Sequence, residues 1–565
     1  MKILLIIALS MFSIVALSAI GDVLTIIQKP ILSVPQITTP GESFTIECDA
    51  PAATAGWQAA LIYEDISLPL TITAAQYMSG YARWFLTVTT PQPQIYELYD
   101  LQVSASGIVT DIARNAVHLI PSLKTNYKFI QITDAHLPTE MYYYEQGSEN
   151  DSTCINDLRA VIQDINLIHP EFVLFTGDVV HEGELEEFQG REYYTKAKRV
   201  LGELEVPVYL VSGNHDIGGW NSTPPPDGTA RQNWWRFFGW QRLYNPPASD
   251  FYYTQNYTFN YGEIAFIGME SYINYDDYLW YRYGDESFTS RQMQWLHTQL
   301  NLHASDAARV LFYHYDFSEQ LNLASLNVNM ALWGHIHYSE GSIYSQPYNL
   351  GTDNLGGGTR AFRIVNVINN ALQPLNTSYA GSYGQSLTVN YSPSNIGIAD
   401  SVSATITNNY GIPFQDMRLK FIMPPGLYGY NVTGGTLLQI MRTPDQNTCY
   451  ISVDVNGYAN AQITVSTDYS NSNEDNSLTV LQSVKCYPNP FSEKVTVSIQ
   501  CKDKKEAFIE IFNVKGQKVK TLAGPILISG NNEFLWDSSN EKSGIYFLRV
   551  TIGSENKTHK LILLK

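Results

Sequence analysis

The sequence predicts a multidomain chain built on an α/β layered core, β-sheets flanked by helices. An N-terminal β-sandwich precedes the core, and a second β-sandwich and a small C-terminal β domain follow it. Three observations carry this reading. The 565 residues exceed what one hydrophobic core supports. Short alternating runs bounded by Pro and Gly occupy both flanks, as antiparallel sandwiches require. Between them, continuous apolar strands alternate with helical periods, the signature of layered α/β packing.

Taken in order, residues 1–19, "MKILLIIALSMFSIVALSA", have one early lysine, an apolar stretch and small residues at Ala16, Ser18 and Ala19, which predicts an export signal peptide. Residues 23–122 contain "SFTIECDAP" and "RWFLTVTTP", alternating runs expected of an immunoglobulin- or fibronectin-like sandwich. The pattern changes at "YKFIQITDAH", opening a core expected over residues 124–376. There Ile155, Leu158, Val161, Ile162 and Ile165 share a helical face, a second helix is expected near Glu184 to Leu204, and a third near Ser290 to Leu302. The intervening strands are "EFVLFTGD", "VPVYLVSGNHD", "ARVLFYHYD" and "NVNMALWGHIH", with a hairpin turning at Gly262. Residues 377–466 return to alternation, as in "DSVSATITNN", and residues 467–477 are too polar to pack, which predicts a linker. Residues 478–565 form the last β domain.

The 35 basic against 54 acidic side chains leave a net charge of −19, which argues against electrostatic binding to nucleic acid or anionic lipid. After signal cleavage no stretch is long and apolar enough for a transmembrane anchor. Five scattered cysteines without a Cys-x-x-Cys pair point neither to a thiolate zinc site nor to a dense disulfide framework, and a Cys486–Cys501 pairing stays open.

Ligands of open α/β sheets gather at the carboxyl ends of the strands. There the sequence places Asp134 and His136 after the first core strand and Asp178 after the second. Asn214 and His215 follow the third, His314 ends the fourth, and His335 and His337 follow the fifth. Five of the eleven histidines fall in these positions. Carboxylate, amide oxygen and neutral imidazole without thiolate suit two divalent or trivalent cations of the Mn, Fe, Zn or Mg kind. The Asp-x-His and His-x-His spacings put both side chains on one side of an extended segment.

The ordered set "DAH", "GDVV", "GNHD", "FYHYD" and "GHIH" resembles the calcineurin-like metallophosphoesterase superfamily over about residues 124–376. The resemblance implies a dinuclear metal-dependent phosphoric ester hydrolase. In it Asp134, His136 and His337 hold one metal, Asn214, His314 and His335 hold the other, and Asp178 bridges them. It further implies that a metal-bridging hydroxide attacks phosphorus, that His215 stabilises the transition state or protonates the leaving oxygen, and that Asp134 also supports His215. Asp216 is expected to orient its loop.

Two departures stand out. Tyr315, Asp316 and Phe317 follow His314 where the family often has proline. His181 occupies the position at which purple acid phosphatases, a branch with a similar preceding β domain, carry a tyrosine ligand, so an iron-tyrosinate centre is not expected. His181 is instead a candidate substrate contact. The insertion after "GNHD" is aromatic-rich, and Trp234 and Trp235 could stack on an organic leaving group while Arg231 or Arg236 pairs with phosphate; the alternative is that these aromatics only pack the insertion.

Residues 478–565 resemble the type IX secretion C-terminal sorting domain through "YPNPF", "VKGQKV", "SGIYFLRV" and "HKLILLK". That implies the type IX secretion machinery as a partner, passage through periplasm and outer membrane, and a secreted or cell-surface protein. The expected function is hydrolysis of an external phosphate ester, with a diester or nucleotide-like substrate favoured over a monoester. The competing reading is a surface adhesion or glycan-binding protein with a non-catalytic phosphoesterase scaffold.

Overall fold

The computed structural model describes residues 26–137, 153–181, 187–217, 229–240, 254–270, 288–318, 320–469, 481–552 and 555–565. The expected signal peptide lies outside them, as do the aromatic run 241–244, the block 274–283, most of the expected linker and the side chain of Arg231. The chain divides into two compact units, the first comprising residues 1–426 and 431–467 and the second residues 427–430 and 468–565.

The core of the first unit is a pair of five-stranded sheets packed face to face. In one, the parallel strands Val208–Leu210, Val173–Phe175 and Tyr127–Ile132 are continued by the antiparallel strands Ala361–Ile368 and Ala371–Tyr379. In the other, the hairpin Tyr257–Tyr261 and Ile264–Gly268 is followed by the parallel strands Ala308–Phe312, Met330–Trp333 and Tyr348–Gly351. Large aromatics fill the space between them: Phe129 stacks on Phe172 with centroids 5.3 Å apart, and Phe266 meets Phe172 edge-on at 4.9 Å. Near the strand ends a polar network joins the sheets. Gln131 donates to the Trp333 carbonyl at 2.9 Å, Thr352 donates to Gln131 at 2.6 Å, and Arg363 donates to Thr352 at 2.8 Å.

Helices cover the outer faces. Thr153–Ile168 buries Leu158, Val161, Ile162 and Ile165, the face read from their spacing, and ends where His169 turns left-handed (φ 50°) ahead of Pro170. The second helix runs Glu187–Leu201, inside the expected span. The third, Ser290–Leu302, starts on a capping box between Thr289 and Gln292 and packs Leu296 and Leu300 on the second sheet.

One correction concerns a boundary. Strand Ala371–Tyr379 pairs with Ala361–Ile368, so the core runs past residue 376, where the second sandwich was expected to begin. Strands Tyr348–Gly351 and Ala361–Ile368 had no counterpart in the sequence reading. The N-terminal segment forms a four-stranded and a five-stranded sheet around Ile46, Leu61, Leu86 and Leu101. The second sandwich includes antiparallel Leu387–Ser392, Ser401–Asn408 and Ala459–Asp468, with Phe414–Met423, Asn447–Val455 and Thr436–Arg442 opposite.

The second unit is a β domain with its own core around Val497, Ile509, Trp536, Leu548 and Leu561. Its strands Lys494–Asn513 and Lys518–Asp537 are each 20 residues long and pair antiparallel, so "VKGQKV" forms their turn. Cys486 lies opposite Val497 and Cys501 opposite Leu481, several rungs apart on the same pair of strands.

Candidate metal centre

Every candidate ligand sits just beyond the carboxyl end of a core strand, Asn214 at the start of the short helix Asn214–Ile217 and the others in loops, and three glycines let these segments meet. A Cβ on Gly213 would lie 2.1 Å from Asp178 Oδ1, and one on Gly334 would lie 1.9 Å from Thr133 Oγ1 and 2.3 Å from Asp134 Oδ2. A Cβ on Gly177 would stand 2.7 Å from His314 Nδ1. These distances leave room for hydrogen alone. Backbone torsion does the rest: Asp134, His136, Asp178, His335 and His337 all have φ between 49° and 72°, the left-handed region that side-chain-bearing residues rarely occupy.

The side chains converge. His136 Nε2 lies 3.0 Å from His337 Nε2, 3.7 Å from Asp134 Oδ1 and 3.8 Å from Asp178 Oδ2. His337 Nε2 lies 3.5 Å from Asp134 Oδ1. His314 Nε2 is 3.0 Å from Asp178 Oδ2, and His335 Nδ1 is 3.0 Å from Asn214 Oδ1. Three groups of possible ligands therefore form among the described residues: Asp134 with His136 and His337, Asp178 with His314 and His335, and His136 with His181 and His215. Donors bound to one cation at roughly 2.0–2.1 Å sit about 3.0–3.5 Å from each other, which these separations approach. Asp134 Oδ1 is buried and accepts no hydrogen bond, an expensive state for a carboxylate oxygen unless a cation takes it. The residues present thus fit the expected cations.

Hydrogen bonds fix the orientation of the set. Asp134 Oδ2 accepts from Thr133 Oγ1 at 2.6 Å and from the His335 N–H at 2.9 Å, leaving Oδ1 toward the histidines. The Thr176 carbonyl lies 2.7 Å from His314 Nδ1, so His314 presents Nε2 inward. Asp178 Oδ1 accepts from the His215 N–H at 3.0 Å. Asp216 accepts from the N–H groups of Gly213 at 2.8 Å and Val180 at 2.9 Å, clasping the second and third strand-end loops together.

Electrostatics follows from burial and neighbours. Burial pushes Asp134 up, but His314 foremost, with His136 and His337, holds it well below the usual carboxylate range. Asp178 is likewise held low against burial, by His314 and then His215. Burial lowers His314, yet the Asp178 and Asp134 carboxylates raise it to about 9. His215 and His335 are each lowered by burial to about 4.

The His215 N–H donates to Asp178 Oδ1, and the His181 carbonyl faces His215 Nδ1. In the segment after His314, Asp316 Oδ1 accepts from the Ser318 N–H at 2.9 Å and from Asn349 at 3.0 Å. His181 is buried against His136 and His215. Trp234 and Trp235 are both only 5 % exposed: Trp234 packs on Tyr194 and Phe238, and Trp235 donates to Glu270 at 3.0 Å. In this arrangement both indoles pack within the insertion. Arg236 is half-buried on the same helix. Sequence reasoning missed Thr133, Thr176 and the spacing role of the three glycines; the glycine before each ligand in "GD", "GN" and "GH" was the available signal.

Residues 127–339 match the family of calcineurin-like phosphoesterases, and residues 485–564 match the secretion system C-terminal sorting domain. A probable cyclic nucleotide phosphodiesterase of Vesicomyosocius okutanii is 31% identical over 91 residues, 16% of this chain and 34% of that protein. The uncharacterized metallophosphoesterase YkuE of Bacillus subtilis is 26% identical over 145 residues, 25% of this chain and 38% of that protein. The chain thus spans little more than a third of either curated relative. Among solved structures, a dimetal phosphatase from Danio rerio aligns at 13% identity over 45% of this chain and 98% of its own, with a TM-score of 0.33. A purple acid phosphatase from yellow lupin aligns at 10% identity over 65% and 70%, with a TM-score of 0.35.

Proposed function

We propose, for a chain whose residues 127–339 carry a calcineurin-like phosphoesterase domain and whose residues 485–564 carry a secretion sorting domain, that it is an exported hydrolase of phosphate esters using two metal ions. The observation that carries this is the convergence of Asp134, His136, Asp178, Asn214, His314, His335 and His337 at one end of the two core sheets. Asp134, His136 and His337 would hold one cation, Asn214, His314 and His335 the other, with Asp178 between them. Two such cations neutralise phosphate charge and lower the pKa of bound water.

The protein's own groups do the positioning. Left-handed loops aim the donors before any ligand arrives, which spares the site reorganisation during reaction. His215 donates a hydrogen bond from Nδ1 to the His181 carbonyl, so Nε2 is the atom left for substrate, and it protonates the leaving oxygen only from the imidazolium form, in which both ring nitrogens carry protons. His335 and His337 are half-buried while the other donors are buried, so substrate enters on the His335–His337 side.

A diester or nucleotide-like substrate is favoured over a monoester. The likeness to a probable cyclic nucleotide phosphodiesterase, 31% identical over 91 residues, supports this preference. The sorting domain supports delivery through the type IX machinery, across the periplasm and outer membrane, to the cell surface or the medium. Among the described residues no helix is long and apolar enough to cross a membrane.

The test compares p-nitrophenyl phosphate with bis-p-nitrophenyl phosphate, on the metal-stripped protein and with Mn, Zn, Fe or Mg restored. Metal-dependent turnover, faster on the diester and reduced by about 10²–10⁴ in His215→Ala, is the expected result. Absence of turnover with two metals bound would overturn the hydrolase reading in favour of a binding role.

A further inference from the structure

We infer that His181 is a positioning residue that sets two other imidazoles at once: it accepts a hydrogen bond from His136 Nδ1 and stacks on His215. One side chain thereby orients a cation ligand and the group that delivers the proton. The inference rests on the roles given to His136 and His215 above.

The argument begins at His136. Its Nε2 faces His337 Nε2 at 3.0 Å and the carboxylates of Asp134 and Asp178 at 3.7 and 3.8 Å, so Nε2 is the atom a cation would take. A neutral imidazole ligating through Nε2 carries its proton on Nδ1. That Nδ1 lies 3.2 Å from His181 Nδ1, which must therefore accept, fixing His181 as the Nε2–H tautomer. Ligating histidines ordinarily give this proton to a carboxylate, a carbonyl or water. Here a neutral ring takes it, so His136 is oriented without a further negative charge beside Asp134 and Asp178.

The second half concerns His215. Its ring lies 4.8 Å from the His181 ring, centroid to centroid, at 17°, a stacked pair, while its Nδ1 meets the His181 backbone carbonyl. His181 is itself held from both sides: its N–H donates to the Leu137 carbonyl at 3.0 Å, and the adjoining Val180 N–H donates to Asp216 at 2.9 Å. The side chain is buried; it shares neither carboxylate-containing group, although with His136 and His215 it forms an all-imidazole group whose ring nitrogens lie within 4.8 Å of one another, so its role as a ligand is one outcome the test separates.

Two substitutions separate the roles. His181→Asn keeps an acceptor oxygen near Nδ1 and loses the ring; His181→Phe keeps the ring and loses the acceptor. Each full-length protein is stripped of metal and titrated calorimetrically with Mn²⁺ against a competing chelator. Hydrolysis of bis-p-nitrophenyl phosphate is then followed at saturating Mn²⁺. H181F should lose about 10–100-fold in affinity at one of two sites while kcat at saturation stays within a few-fold. H181N should bind Mn²⁺ within about threefold of wild type and lose on the order of tenfold in kcat with KM little changed.

Wild-type affinities in H181F, or the same pattern in both variants, overturn the inference. Loss of one equivalent of Mn²⁺ in both overturns it too, because His181 would then be a ligand. If H181F does not fold by circular dichroism, His181→Leu supplies the acceptor-free variant. A wild-type chain that binds no Mn²⁺ overturns the hydrolase reading along with this one, whereas an active two-metal wild type matched by H181F overturns this one alone.

Discussion

Single residues carried most of what could be read in advance about the site. Asp134, His136, Asp178, Asn214, His314, His335 and His337 were legible because each ends a strand, where a polar side chain cannot be serving the sheet interior. The bonds that orient them were not, because Thr176 toward His314, and His181 toward His215 Nδ1, act through backbone carbonyls that carry no sequence signal. Trp234 and Trp235 show the same limit, since a tryptophan that packs and one that binds read alike. A residue far from the site gives a sharp pH prediction. Asp164 is buried on the helix Thr153–Ile168 and accepts a hydrogen bond from Tyr410 of the second sandwich. Burial raises its pKa from 3.8 to about 7, despite the Tyr410 hydroxyl. In the unfolded chain it ionises near 4, so the folded state holds the extra proton between about pH 4 and 7, and stability falls as pH rises through that window. The melting temperature of wild type relative to Asp164→Asn should therefore become more favourable as pH drops from 7 to 4. A difference that stays flat would contradict this.

At the scale of elements, strand and helix identities were readable wherever periodicity was unbroken. The helix Ser290–Leu302 lies where the sequence put it, and its capping box explains the sharp start. The edge strand Tyr348–Gly351 was missed because four residues of mixed polarity offer too few alternations. Strand Ala371–Tyr379 does alternate, and that alternation was credited to the following sandwich, since period alone does not say which sheet a strand joins. The pairing of two sheets into one core was likewise beyond reach, because the aromatics that fill it are far apart in sequence. Loop contacts make the glycines before the ligands the most sensitive positions in these elements. Gly334→Ala would put a methyl within 2.3 Å of Asp134 Oδ2. The expected outcome is loss of metal binding at the Asp134 site and a drop in kcat/KM of at least about 10², with circular dichroism unchanged; retained metal affinity would show that the loops can shift.

Across the first unit, three modules meet on one charged side chain. Arg418 of the second sandwich donates to Glu97 of the first and to His169 of the core, and stacks its guanidinium over Tyr450 at 4.3 Å. Gln439 adds a reciprocal pair with the backbone of Tyr96, at 2.8 and 3.0 Å, and Met441 and Tyr450 join the hydrophobic core of the first sandwich. Burial raises the Glu97 pKa, and Arg418 opposes that rise. Arg418→Met should therefore cost about 3–5 kcal/mol in urea denaturation at pH 8, where Glu97 is left charged and buried. The cost should shrink toward pH 5 and in the double variant with Glu97→Gln. An equal cost at both pH values would mean that packing, not charge, holds the joint. The modules were visible in the sequence as separate stretches, but their joint was not, since residues 97, 169 and 418 show no local pattern.

The left-handed torsions at Asp134, His136, Asp178, His335 and His337 have a consequence for anyone wishing to build such a centre elsewhere. Copying the seven side chains onto another sheet would place the right atoms on the wrong trajectories, because the aim of each is set by its main chain before its rotamer is chosen. The transferable unit is the turn with its unusual φ, and at Asp178 and His335 its preceding glycine, and a designer who transplants whole turns can then exchange the side chains at leisure.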